Sequence, residues 1–350
     1  MNDHLATRAS ILIMLALVLG CPTSADDDDL ANDDDLANDD DLANDDDAAD
    51  DDDAADDDDA ADDDDAVYVD LDLGLTHACG LRVDGTVDCW IKSTVRGGKY
   101  DFGQDEPPEL SGVVALKLGS MHSCAIVEDE EGSRSIRCWG LNNAGQDEEL
   151  PPSNYLWGGC EMNLCCVLDG TEPGATAGTP RCWGGQPIEP GPTPPEVQLT
   201  SVHPGLQGVC GLRADDQTIE CWEDESETSD SLVTDSPEGS FSYLDVSSAG
   251  ACALTEDGAP VCWGLLPDAE LLSGLPPLVS LQVSSGGACG LDAAGSPHCV
   301  GWTWPFGVPE PPGVFTKVVV SSSAACGLRD DGVIHCWGEP ESVDGFPSAF

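Results

Sequence analysis

Short apolar runs alternate with polar, glycine-rich turns along most of this chain, and they recur in a fixed frame. Val67–Leu73, Val113–Leu118, Phe241–Val246, Val279–Val283 and Phe315–Val320 are brief, rich in β-branched residues and bounded by turn formers, which predicts strands. Each is followed by two cysteines that flank a short polar stretch. The first copy reads Cys79-Gly-Leu-Arg-Val-Asp-Gly-Thr-Val-Asp-Cys89-Trp90, and the last Cys326-Gly-Leu-Arg-Asp-Asp-Gly-Val-Ile-His-Cys336-Trp337. Between them lie Cys124/Cys138, Cys166/Cys182, Cys210/Cys221, Cys252/Cys262 and Cys289/Cys299. The leading cysteines advance in steps of 45, 42, 44, 42, 37 and 37 residues. A period near forty marks a repeat architecture, and strand-and-turn chemistry within it points to propeller blades of three or four strands rather than helical repeats.

In four copies nine residues separate the cysteines, and Gly85, Gly258, Gly295 or Gly332 follows the midpoint. A glycine there suits a type I turn closed by a left-handed residue and a bulge. Counting outward from that turn sets the two cysteines directly opposite each other. A non-hydrogen-bonded antiparallel pair brings Cα atoms to about 4.5 Å, within disulfide reach. Each copy is therefore expected to be a hairpin pinned by a cross-strand bridge. The chain stops at Phe346–Phe350, where an eighth repeat would begin, so both ends of residues 66–350 are expected in one region, closing the ring.

These residues resemble the regulator of chromosome condensation repeat family of seven-bladed propellers. The best stretch is Leu118-Gly-Ser-Met-His122-Ser-Cys124-Ala-Ile, followed by Arg137-Cys138-Trp139-Gly140-Leu-Asn142-Asn-Ala-Gly145-Gln146. Only there does the Trp-Gly-x-Asn-x-x-Gly-Gln tail occur in full. Cys182-Trp-Gly, Cys262-Trp-Gly and Cys336-Trp-Gly keep part of it, whereas copy four ends Cys221-Trp-Glu and copy six Cys299-Val-Gly-Trp302. The resemblance implies an all-β, seven-bladed propeller over residues 66–350, in a secreted bacterial lipoprotein variant. It carries over no functional residues, because those of the family lie in variable loops.

The first 25 residues bear on compartment. Ala9–Leu19 is an apolar run of eleven residues, short of the roughly 20 needed to span a bilayer and suited to a signal peptide. It ends Leu17-Val-Leu-Gly-Cys21, similar to the lipobox at which a leader (1–20) is cleaved and the cysteine lipidated. An ordinary signal peptide with an incidental cysteine is the alternative. The chain has 17 cysteines; setting Cys21 aside leaves an even number, with Cys160 and Cys165 free to form an eighth bridge beside the seven ladder pairs. A metal site at Cys160, Cys165 and Cys166 is the competing reading. Pro22 after Cys21 disfavours inner-membrane retention, so the expected location is extracytoplasmic, at the outer membrane or cell surface of a Gram-negative bacterium.

Charge sharpens this picture. The chain carries 12 basic and 68 acidic residues, a formal net charge of −56. Residues 26–65 contain 25 aspartates in a six-residue repeat, a composition that cannot bury a core and predicts a disordered, self-repelling stalk spanning residues 21–65. Fully extended, the forty-residue aspartate repeat would reach at most about 130–145 Å. Specific calcium binding would need spaced ligands and a sharp glycine turn, which the tract lacks. A net −31 remains for residues 66–350. Such a surface repels phosphate backbones, which argues against nucleic-acid partners and favours cationic ones.

Chemistry is sparse. His-Glu-x-x-His, Gly-x-Ser-x-Gly and phosphate-loop motifs are absent. His77 and His122 sit two residues before a ladder cysteine and read as structural, while His203, His298 and His335 are expected to share no frame. The tryptophans at 90, 139, 183, 222, 263 and 337 recur at one position and read as blade core. Trp157, Trp302, Trp304 and Phe306 lie off that frame and are the candidate aromatic binding residues. No cofactor is expected. The resulting expectation is a monomeric, lipid-anchored, non-enzymatic module that binds an envelope or extracellular protein or glycan through loops such as Lys92–Glu109, Thr171–Pro180, Glu223–Gly239 and Gly301–Gly313. A structural envelope component, or a glycan or peptide hydrolase with paired carboxylates, is the alternative.

Overall fold

The computed structural model describes residues 67–147, 150–185, 195–206, 208–223, 236–266, 272–301, 311–338 and 343–347. Contacts divide the chain into Met1–Ala60 and Ala61–Phe350, and every described residue belongs to the second unit. Cys21, the aspartate tract, Trp302, Trp304 and Phe306 lie outside the described residues.

The described chain is built from seven three-stranded antiparallel meanders. Blade 1 comprises β1 (Tyr68–Leu73), β2 (His77–Arg82) and β3 (Val87–Ile91), and blade 2 comprises β4 (Val113–Leu118), β5 (His122–Glu128) and β6 (Arg134–Gly140). Blade 3 has β7 (Asn154–Glu161), β8 (Leu164–Gly170) and β9 (Gly178–Gly184), and blade 4 has β10 (Leu199–Pro204), β11 (Val209–Arg213) and β12 (Ile219–Trp222). Blade 5 has β13 (Tyr243–Val246), β14 (Gly250–Leu254) and β15 (Pro260–Gly264). Blade 6 has β16 (Leu278–Val283), β17 (Gly287–Asp292) and β18 (Pro297–Gly301); blade 7 has β19 (Phe315–Val320), β20 (Ala324–Arg329) and β21 (Ile334–Gly338). Of the three or four strands expected per blade, three form among the described residues. In the segment between blades 1 and 2, Pro107 and Pro108 offer no N–H to a ladder. The incoming chain instead touches an outer strand at single points, Arg134 opposite Ser153 and Gly178 opposite Leu199.

The hairpins form as the spacing predicts. Gly85, Gly258, Gly295 and Gly332 all adopt left-handed backbone, at φ 85°, 81°, 77° and 84°. Copy four has no glycine at this turn, and Gln217 takes positive φ instead (58°), its Nε2 donating to Arg213 O at 2.9 Å. Cys79 faces Cys89, Cys252 faces Cys262, Cys289 faces Cys299 and Cys326 faces Cys336 in direct register, and Cys124/Cys138, Cys166/Cys182 and Cys210/Cys221 do the same despite longer connections. All seven are bridged with Cα–Cα distances of 4.0–4.1 Å. Cys160 pairs with Cys165 as an eighth bridge, across β7 and β8. The metal reading of Cys160, Cys165 and Cys166 fails here, because all three sulfurs are used in two bridges.

Seven apolar clusters fill the seven interfaces between consecutive blades, including the one between blade 7 and blade 1. Each is assembled the same way. The leading cysteine and a following aliphatic of one blade meet the inner strand of the next, as Cys79 and Leu81 meet Leu116 and Leu118. The tryptophan after the trailing cysteine turns back toward the preceding blade: Trp183 packs with Ile126 and Ile136, and Trp337 with Cys289 and Leu291. Copy six has Val300 in this place, and it packs with Leu254 and Leu272. The tryptophans are core residues, as their shared frame predicts.

Closure joins the two ends. Tyr68 N donates to Gly332 O at 2.9 Å, and Lys317 Nζ lies 2.6 Å from Asp70 Oδ1. Val343 and Phe346 pack with Leu71 and Ala78, and Ser93 N donates to Asp344 O. Gly345 sits at φ 89° with room for no side chain, since a Cβ would come within 2.7 Å of Ile91 O.

Because each bridge closes a loop of ten to sixteen residues in the ladder, each contributes about 2–3 kcal/mol through the unfolded chain. Full reduction, confirmed by thiol titration, is expected to lower the melting temperature sharply. An unchanged melt of the reduced protein would contradict this role.

Candidate functional site

The propeller has two unlike ends. One carries the hairpin turns, such as Asp84-Gly85; the other carries the turns between first and second strands, such as Gly74–Thr76. Between them the seven inner strands surround the central channel. The residue paired with each leading cysteine forms one tier of its wall: Asp72, Lys117, Gly159, His203, Asp245, Gln282 and Val319. A second tier, two residues earlier in most blades, holds Asp70, Ala115, Ser201, Tyr243, Ser280 and Lys317. Blade 3 departs from this spacing. A bulge between Trp157 and Gly159 places Leu156 in the second tier.

These side chains tie successive blades together. Asp72 Oδ2 accepts from Leu118 N at 2.8 Å, and Asp245 Oδ2 accepts from Val283 N at 2.7 Å, each carboxylate reaching the backbone of the following inner strand. Lys117 Nζ lies 3.7 Å from Asp72, and His203 Nδ1 lies 3.2 Å from Asp245. Burial pushes the Lys117 ammonium down, but Asp72 and Asp70, with Tyr243 and Asp245 beyond them, hold it above the ordinary lysine value. Burial opposes ionisation of Asp70 as well, and Lys317 more than offsets it. Tyr243 is pushed up to about 12 by burial next to Asp245.

Glu161 stands apart. It lies at the end of blade 3 opposite the hairpins, and its Oε1 accepts from Ser248 N of blade 5 at 3.2 Å. Burial pushes its carboxyl up to about 7, and Asp245 adds to the effect. A carboxyl raised in the fold contributes stability that is complete below the unfolded value and is lost as pH rises through about 7. Glu161→Gln is therefore expected to gain melting temperature over the parent between about pH 5 and pH 8. A difference that stays constant across that range would contradict the assignment.

At the same end, a belt of buried polar residues links blades 1 to 3. His77 Nε2 lies 2.8 Å from Ser123 Oγ, which donates to Gln104 O at 2.9 Å. One blade on, His122 Nε2 lies 3.1 Å from Cys165 Sγ. Cys165 thus takes in blade 3 the place that Ser123 takes in blade 2. Burial pushes the two imidazoles down to about 3 and about 4, so both are neutral spacers. His122 and the sulfurs of Cys124, Cys160 and Cys165 lie within 4.8 Å of one another, but every one of those sulfurs is bridged.

Gln104 and Gln146 are the keystones of this belt. Trp139 Nε1 donates to Gln104 O at 3.0 Å, and Trp183 Nε1 to Gln146 O at 2.9 Å. Gln104 is fully buried, and its Nε2 donates to Thr76 Oγ1 and Tyr100 O while Phe102 N donates to its Oε1. The loop Lys92–Glu109, one of the candidate binding loops, is anchored at its centre by Gln104, and Lys92 is buried. The Gly103-Gln104 pair is a second copy of the Gly145-Gln146 tail that the sequence frame missed, because the preceding tryptophan-glycine is replaced by Trp90-Ile91. Gln104→Ala leaves buried partners unsatisfied and is expected to cost about 1–3 kcal/mol by denaturant unfolding. A neutral result would show that the loop is held by other contacts.

Of the aromatic candidates, only Trp157 is described. It is half-buried in its bulge and packs toward blade 2, with Nε1 buried and without a partner. Contrary to the sequence expectation, His298 and His335 share a frame, each directly before a trailing cysteine and opposite Gly290 and Gly327. They face Asp292 at 3.1 Å and Arg329 at 3.3 Å. The channel tiers also escaped the sequence reading, although a signal existed: one tier lies seven residues before every leading cysteine.

No model of a known protein family matches the chain. Among solved structures it is similar to the ectodomain of the receptor kinase CR4 from Physcomitrella patens, at 24% identity and TM-score 0.60 over 78% of this chain and 74% of that one. It is also similar to the CRINKLY WD40 ectodomain of the receptor kinase ACR4 from Arabidopsis thaliana, at 21% identity and TM-score 0.59 over 81% and 97%. Prp20p of Saccharomyces cerevisiae matches at 16% identity and TM-score 0.47 over 67% and 73%. The likeness to the two receptor-kinase ectodomains shows the β-propeller fold.

Proposed function

We propose that this protein is a non-enzymatic, protein-binding propeller held at the bacterial envelope by a lipid on Cys21, with the aspartate tract as its spacer. One observation carries the binding reading. The repeated residues with chemical reach are committed to the scaffold: the ladder cysteines are bridged, the frame tryptophans fill blade interfaces, and His77 and His122 are buried between blades. What remains for function is the surface, which is where a propeller presents its loops and strand ends. The charge balance of −31 over residues 66–350 supports a cationic partner over a nucleic acid.

Two measurements test this reading. Cell fractionation is expected to find the parent with membranes and Cys21→Ser in the soluble extract; a soluble parent would remove the lipid anchor. Affinity capture from envelope extract is expected to recover a discrete protein partner. Recovery of none, together with turnover of a peptide or glycan substrate, would replace binding with catalysis.

A further inference from the structure

The exposed large apolar side chains are not scattered. Six of the nine among the described residues lie at the hairpin end: Val67, Val69, Val83, Val114, Val279 and Val314, with exposures from 40% to 71%. The register explains why. In blades 1, 2, 4, 6 and 7 the inner strand slips by one residue near its start, between Tyr68 and Asp70 in blade 1 and at the equivalent place in the others. The extra residue of such a bulge is unpaired and is re-aimed out of the ladder. That residue is Val69, Val114, Thr200, Val279 or Thr316. It is exposed in every case, and in blades 1, 2 and 6 it is valine.

Val67 and Val314 extend the patch. Each lies at the entry of an inner strand against the hairpin of the preceding blade: Val67 Cγ1 beside Gly332, Val314 Cγ1 beside Gly295. The apolar residues therefore follow an arc from blade 6 through blades 7 and 1 to blade 2. Blades 4 and 5 carry Thr200 and Ser242 at the corresponding rim.

The arc is fringed by acid. Asp84, Glu130, Glu131, Asp330 and Asp331 are exposed on its hairpin turns. The arginines nearby face carboxylates of their own blades, Arg82 with Asp88, Arg134 with Glu128 at 2.8 Å and Arg329 with Asp331 at 3.6 Å. An apolar strip inside an acidic fringe repels a nucleic acid, an anionic lipid surface and a second copy of this chain, which carries the same charge.

We propose that the hairpin end, along the arc from blade 6 to blade 2, is the docking surface, and that it takes a cationic polypeptide segment combining lysine or arginine with aliphatic or aromatic side chains. This deepens the binding reading given above and rests on it. The apolar side chains of the segment cover the valines, and its cations meet the fringe.

The test selects a random dodecapeptide library on the full-length protein at physiological ionic strength. Recovered peptides are then measured against two double variants. Val69→Asp with Val279→Asp alters the arc. Leu206→Asp with Leu265→Asp alters exposed leucines at the opposite end. Parental melting and eight bridges by mass spectrometry qualify both proteins, and the aspartate tract is common to all. Adding aspartate to the arc raises its attraction for a cation, so loss of binding there can come only from lost apolar contact. The expected result is a set of basic, apolar-containing peptides whose Kd weakens about tenfold or more with the arc variant and stays within about twofold with the other. Peptides that bind both variants alike, or that lack basic residues, would overturn the assignment of this surface while leaving a binding module. Recovery of no peptide would overturn the surface and count against the binding reading as well.

Discussion

The seam between consecutive blades is the constraint on which the structure depends. A three-stranded meander of about forty residues cannot bury both its faces alone, so each blade is completed by its neighbours. Here the seam has a fixed composition. The leading cysteine and its following aliphatic press forward onto the next inner strand, and the tryptophan beyond the trailing cysteine presses backward. The cross-strand bridge fixes both at once, since cysteine and tryptophan sit on a hairpin that cannot slip in register while the bridge is intact. The same seam closes blade 7 on blade 1, and there the residues after β21 add Val343 and Phe346 to it.

Much of this was legible in the sequence because it is repeated. Nine-residue spacing and a following glycine fix turn geometry and strand register together, so the opposed cysteines and the left-handed glycines follow from counting. Seven agreeing copies make up for the weakness of each. What was not legible depends on contacts between blades rather than within one. Gln104 lacks the tryptophan-glycine that marks Gln146, yet the fold carries it to the equivalent place under Trp139. The bulge at Trp157 shifts one residue out of frame, so a count from the cysteines places that side chain on the channel when it turns toward blade 2. Trp157 stands off the tryptophan frame because it lies on the inner strand β7 and follows no trailing cysteine.

Electrostatics divides the molecule by location. Inside the channel, Asp70 is paired with Lys317 and Asp72 with Lys117, while Asp245 accepts from Val283 N and lies beside His203. Such pairs act as struts, since they join one inner strand to the next, and Glu161 is the exception whose carboxyl is raised by its burial. On the described surface, Asp84, Glu130, Glu131, Asp330 and Asp331 are exposed on the hairpin turns.

The pairing of cysteines sets the register of every blade. Disulfide mapping by mass spectrometry of a non-reducing digest tests it most directly. The expected bridges are Cys79–Cys89, Cys124–Cys138, Cys166–Cys182, Cys210–Cys221, Cys252–Cys262, Cys289–Cys299 and Cys326–Cys336, with Cys160–Cys165 as the eighth and Cys21 in none of them. A bridge between cysteines of different blades, or Cys165 rather than Cys166 joined to Cys182, would contradict it.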